Sequence, residues 1–142
     1  MRAMEISLSG MDVEWRRLEV VAANVANANS PINGKGGAYR AMQLISGPRA
    51  SFKSQLDHAA AFPENGLGGV EVYGIEPIDL PPRSVYEPGN PQADTKGYVS
   101  YPGVDMAQQM TLMVKTSRAY EANVVAMSMA RQIYAKALEL GR

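Results

Sequence analysis

A single histidine, His58, stands beside Asp57 in the run Gln55-Leu56-Asp57-His58-Ala59, and it is the one imidazole the chain can offer to a metal or to proton transfer. A zinc centre draws three or four ligands from histidine, cysteine and carboxylate side chains. Here no second histidine completes such a set, so an exposed loop histidine is the expected reading. Gly34-Lys35-Gly36-Gly37 sets a lysine among glycines, but it lacks both the spacing and the preceding strand of a phosphate-cradling loop, and it reads as an ordinary turn region. Arg118 and Glu121, three residues apart in a helical segment, bring a guanidinium and a carboxylate within reach of each other. At that spacing the ordinary outcome is a surface or interface ion pair. No catalytic residue, cofactor or metal is expected, so the chain is read as a non-enzyme whose function lies in contacts.

The rest of the composition narrows those contacts. The chain has 142 residues, 46% of them hydrophobic and 20% charged, which suits one modest domain. Fourteen Lys and Arg balance fourteen Asp and Glu. The excess positive charge that neutralises phosphates is therefore missing, and neither nucleic acid nor an anionic membrane surface is an expected partner. There is no cysteine, so disulfide frameworks, thiolate metal sites and thiol catalysis are excluded. Residues 1–25 interleave Arg2, Glu5, Asp12, Glu14, Arg16, Arg17 and Glu19 with apolar residues, so no signal-peptide core is visible. The longest apolar runs, such as Val20-Val21-Ala22-Ala23, fall far short of the ~20 residues of a membrane span, and none is expected.

Two segments must position whatever the chain presents. In residues 4–29, Met4, Leu8, Met11, Trp15, Leu18, Ala22, Val25 and Asn29 recur at alternating steps of four and three, the spacing of one helical stripe. Pro31, with Asn33 and Gly34 behind it, stops that helix near Asn29. Met106, Met110, Met113, Ser117, Tyr120, Val124, Met127, Arg131, Tyr134 and Leu138 repeat the same steps. Asp105 stands at the N-cap position with Gln108 as a capping-box partner, and Gly141 stands where a C-terminal cap belongs. The prediction is a helix over 106–140, ~50 Å long, facing a first helix of ~40 Å. The fold class expected is mainly α: long terminal helices pair as a coiled-coil-like hairpin around a small, glycine- and proline-rich β insertion.

Residues 31–103 form that insertion. Alternation in 39–45, 69–73 and 98–101 marks short strands, while Pro77, Pro81, Pro82, Pro88 and Pro91 forbid a long central strand. Glu87-Pro88-Gly89-Asn90-Pro91 reads as a turn. Residues 46–69 carry no period and are expected to stay disordered until something covers them.

The two stripes are buried either against each other or against copies in neighbouring molecules. The methionines of the second stripe adapt well to imperfect partner surfaces. Asn24 and Asn27 lie off the first stripe among Ala22, Ala23, Ala26 and Ala28. Asparagine is a poor helix former, so its presence points to close approach of another backbone with side-chain hydrogen bonds across it; for Asn27, fraying of the last turn serves equally well. Residues 1–29 carry net −1 and residues 106–142 net +3, a complementarity that guides partners without holding them.

Ser7-Leu8-Ser9-Gly10-Met11, followed by Leu18-Glu19-Val20-Val21-Ala22-Ala23-Asn24-Val25-Ala26-Asn27-Ala28-Asn29-Ser30, resembles the opening signature of bacterial flagellar axial proteins. Val104-Asp105-Met106, Ser117-Arg118-Ala119-Tyr120-Glu121-Ala122-Asn123-Val124 and Lys136-Ala137-Leu138-Glu139-Leu140-Gly141-Arg142 resemble the end of the basal-body rod proteins of the FlgC family. Gly36-Gly37-Ala38-Tyr39-Arg40 and the run from Tyr86 to Asp94 are similar to internal segments of that family. Ala23, Val25 and Ser30 depart from the commoner family residues. The resemblance implies a proximal-rod subunit of the drive shaft, exported by the flagellar type III apparatus and placed in the periplasm. Its implied neighbours are further copies of itself and the rod proteins FlgB, FlgF, FlgG and FliE. It also implies an inner layer of 1–30 paired with 104–142. The assembly interface is expected on Leu8, Met11, Trp15, Leu18, Val25, Met110, Met113, Tyr120, Val124, Met127, Tyr134 and Leu138. Family-motif polar contacts are expected at Asn24, Asn27, Arg118, Glu121 and Asn123. The alternatives are a helical adaptor or export chaperone that folds stably alone, and another rod protein such as FlgB.

Overall fold

Helix-favouring sequence without proline carries the first element, α1, over Arg2–Asn27. It ends two residues earlier than the stripe predicts. Ala28 and Ser30 donate back to the carbonyls of Val25 and Asn27 at 3.3 and 3.0 Å, and Pro31 then forbids continuation. The second helix, α2, spans Met106–Leu140. Asp105 caps it by accepting from the Ala107 and Gln108 amides at 2.9 and 3.2 Å. At the other end Gly141 has φ −90°, so the helix stops there without the left-handed cap its glycine would permit. The computed structural model describes residues 2–32, 39–49 and 68–141. The glycine loop around Lys35, the His58 segment and most of the stretch expected to be unordered lie outside the described residues.

Between the helices lie two antiparallel hairpins, each a two-stranded sheet of its own. Strand β1 (Met42–Pro48) pairs with β2 (Val70–Pro77), Met42 opposite Pro77 and Pro48 opposite Val70. Residues 46–48, placed in the unordered stretch by their lack of period, instead complete β1. The register shifts between Ile45 and Ser46, where Tyr73 is the extra residue on β2. Its hydroxyl donates to the Pro48 carbonyl at 2.7 Å, and its ring fills the space above Gly47 that a Cβ would need.

Strand β3 (Arg83–Tyr86) pairs with β4 (Tyr98–Tyr101). The sequence does not announce β3, because the five residues between Pro82 and Pro88 leave no room for visible alternation. Cross-strand rings stabilise it: Tyr86 meets Tyr98 edge to face at 5.2 Å, and the Arg83 guanidinium lies 5.6 Å from the centre of the Tyr101 ring. The expected turn is present, with Asn90 donating to the Glu87 carbonyl at 3.0 Å. The Ile32 amide joins this hairpin to the end of α1 through the Ser100 carbonyl at 2.8 Å.

Helices α1 and α2 pack antiparallel along their length, and α1 also packs on β1 and β2. Among the most buried side chains, Val21, Asn24 and Thr116 are on the helices, and Val99 is on β4. No helix among the described residues is long and apolar enough to cross a membrane.

Candidate assembly surface

Three contacts fix the register of the helix pair. Gly10 lies against the Asn123 side chain, whose amide would sit 2.8–3.0 Å from any Cβ placed there. Asn24 Nδ2 donates to Gln109 Oε1 at 3.1 Å. The Trp15 and Tyr120 rings approach to 6.3 Å. Fourteen residues separate Gly10 from Asn24 and fourteen separate Gln109 from Asn123, so residue 2 of α1 faces about residue 131 of α2. The last ten residues of α2, ~15 Å of helix, therefore have no α1 opposite them, and all are exposed.

That register turns a different stripe inwards from the apolar one. On α1 the covered positions step through Ser7, Gly10, Glu14, Arg17, Val21, Asn24 and Ala28, with Met11, Val13 and Val20 alongside. Each of the seven stands one residue before the apolar series that starts at Leu8, a rotation of ~100° about the helix axis. On α2 the inward series is Met106, Gln109, Met113, Thr116, Tyr120, Asn123, Met127 and Ala130. It shares every seventh residue with the apolar series and replaces the intervening ones by polar or small side chains.

The seam therefore relies on close approach and hydrogen bonds. Asn24, 1% exposed, uses all of its amide. Oδ1 accepts from the Met42 amide at 2.9 Å and from the Tyr39 hydroxyl at 2.7 Å, and Nδ2 donates to the Met42 carbonyl at 2.8 Å as well as to Gln109. One side chain thus ties α1 to β1 and to α2. Burial pushes the Tyr39 hydroxyl above its ordinary pKa, so it stays a neutral donor at physiological pH. Arg17 pairs with Glu14 at 2.6 Å and reaches Ser46 Oγ at 2.8 Å. Ser9 Oγ accepts from the Val70 amide at 3.1 Å and donates to the Ile6 carbonyl at 2.7 Å. A Cβ at Gly69, where φ is +89°, would collide with that hydroxyl, so glycine is required twice over.

The expected contact residues divide between the seam and the outside. Met11 is buried, and Leu18, Val25, Met113, Tyr120 and Met127 are half-buried. Leu8, Trp15, Met110, Val124, Tyr134 and Leu138 remain exposed, Leu8 at 59% and Trp15 at 55%. Asn27 donates to its own helix at the Ala23 carbonyl, 2.8 Å away, and does not bridge. Asn123 does the same to Ala119 at 3.0 Å while packing on Gly10. Arg118 and Glu121, both exposed, form no ion pair with each other among the described residues, which corrects the expected i, i+3 bridge. Gln109, Thr116 and Ser7 belong to the seam and are absent from the expected set. The sevenfold spacing of residues 109, 116 and 123 was their signal, masked by the more apolar series beside it.

The outer faces are thus apolar while the inner seam is mixed. On α2, Met110, Val114, Val125, Met129 and Ile133 join the exposed set. Scattered exposed apolar side chains are ordinary, but here they line up in stripes along two helices.

Known proteins carry the same arrangement of termini. The family described as "Flagella basal body rod protein" matches residues 4–31, and "Flagellar basal body rod FlgEFG protein C-terminal" matches residues 95–140. The flagellar basal-body rod protein FlgC of Salmonella typhimurium is 36% identical over 138 residues, covering 97% of this chain and 95% of its own. That of Bacillus subtilis is 34% identical, covering 99% and 97%. The one from Borreliella burgdorferi is 30% identical, covering 97% and 95%. With near-complete coverage on both sides, the chain belongs to the FlgC family of flagellar basal-body rod proteins.

Proposed function

We propose that this rod subunit polymerises through the apolar stripes its own fold leaves uncovered, and that it transmits torque as part of the proximal rod. One observation carries the reading. The chain buries Ser7, Asn24, Gln109 and Thr116 beside Met11, Val13, Val20 and Val21, and leaves Leu8, Trp15, Met110, Val114 and Val124 at the surface. A monomer gains nothing from that distribution, whereas a polymer buries the outer stripes against its neighbours. Residues 1–30 with 104–142 form the inner layer, and 31–103 lie further out. The neighbours are copies of the same chain together with FlgB, FlgF, FlgG and FliE, reached in the periplasm after passage through the flagellar type III export apparatus. The role is structural, without a reaction.

Electron cryotomography of basal bodies in a strain lacking the chain tests this reading. A missing rod above an intact inner-membrane ring is expected; a complete rod overturns it. The adaptor alternative is tested separately by circular dichroism of the isolated chain. Partial helicity and a broad melt are expected of terminal helices that order fully only in the assembly, whereas a sharp cooperative melt at micromolar concentration favours an adaptor.

A further inference from the structure

Resting on the rod-subunit reading, we propose that the outer face of α1 docks on the outer face of α2 of a second copy of this chain, a heterologous contact that repeats from copy to copy. The two faces differ in charge as well as in position. On α1, Glu5, Asp12 and Glu19 recur every seven residues, interleaved with Leu8, Trp15 and Ala22 at the same period, and all six are exposed. Asp12 is shared with Arg16 at 3.4 Å, both well solvated, and Trp15 Nε1 donates to Glu19 at 3.1 Å. The strip is thus apolar with an acidic edge.

On α2, Met110, Thr111, Val114, Lys115 and Arg118 line one shallow apolar depression on the side away from α1. Its charged members are both basic, and neither Lys115 nor Arg118 enters an ion pair among the described residues. Glu121 stands one turn further on, and exposed Val125 and Met129 continue the line.

The strips also match in length. Residues 5–22 of α1 span about 26 Å and residues 110–129 of α2 about 29 Å at the helical rise. Of these residues Trp15 also reaches α2 of its own chain, at Tyr120, which lies outside the α2 strip, so one chain does not bring its own two strips together. Opposite charges on two different patches favour contact between copies and disfavour like-to-like pairing, and a contact of that kind propagates into a ring or an open helix. A single helix-on-helix contact of this length stays below the ~1,200 Å² of a stable pair, so it acts only where copies are held side by side.

The absence of natural cysteine makes the test clean. In cells whose only copy is the variant, Asp12→Cys with Arg118→Cys is treated with a short bis-maleimide and basal bodies are isolated. Cross-linked species at whole multiples of the 15.3 kDa chain are expected from the double variant and from neither single variant. Self-linking by Asp12→Cys alone would mean like-to-like pairing and overturn the proposal. In parallel, Asp12→Lys and Arg118→Glu are each expected to reduce swimming several-fold, and the two together to restore it. If both single changes impair swimming, the combination does not recover it and the cross-linked mass is that of another protein, the self-contact fails while the rod-subunit reading stands. If every variant swims normally and nothing cross-links, the self-contact fails as well. Only a complete rod in the strain lacking the chain removes the reading underneath.

Discussion

Val21 and Leu8 are both branched aliphatic residues on α1, yet the first is 1% exposed and the second 59%. The face holding Val21 holds Met11, Val13 and Val20 together with Ser7, Gly10, Glu14, Arg17 and Asn24, whereas the face holding Leu8 holds Trp15 and Ala22 beside Glu5, Asp12 and Glu19. Within one helix, then, hydrophobicity alone does not decide burial. The inner face is chosen for fit: glycine lets α2 approach, and an amide connects three elements. The outer face keeps the surface whose removal from water still has free energy to release.

The comparison breaks first where a charge is forced inwards. Val21→Asp, which buries a carboxylate one turn from an Arg17 already held by Glu14 and Ser46, is expected to cost about 4 kcal/mol and to abolish amide-exchange protection along α1. Asn24→Ala comes next, at about 3 kcal/mol, because it leaves the Met42 amide and carbonyl, the Tyr39 hydroxyl and the Gln109 amide short of a partner. Faster exchange in β1 as well as in α1 is the readout; loss confined to α1 would show that Asn24 is not the link between them. Gly10→Val, pressing on Asn123, is expected to cost about 2 kcal/mol by spreading the helices. Leu8→Asp makes the same kind of change as the first variant, on the outer face. The isolated chain is expected to stay within about 0.5 kcal/mol of the natural one by the same exchange measurement, while cells carrying it lose swimming. Equal destabilisation by Leu8→Asp and Val21→Asp would erase the distinction between the faces.

Much of this was legible before any coordinates. The 3-4 spacing and Asp105 located α2 to the residue, and alternation located β4, with β1 and β2 shifted or extended by three or four residues, while proline and glycine placement marked the turn after Glu87. Asn24, conspicuous because an amide disfavours helix interior, lies at the junction it announced. β3 was not legible, since its partner β4 and a pair of tyrosine rings hold it rather than any pattern of its own. Nor was the role of Gln109 and Thr116, polar residues whose burial depends on what faces them.

Periodicity by itself determined that two long helices exist and that each carries an apolar stripe, because backbone geometry fixes which residues share a face, and the capping and breaking residues set their ends to within two residues. Only the tertiary structure decided which face turns inwards. A helix can rotate about its axis by one residue at no cost to its own hydrogen bonds. The choice therefore fell to groups distant in sequence: the carbonyl and amide of Met42 that need Asn24, and the Asn123 side chain that fits only over Gly10.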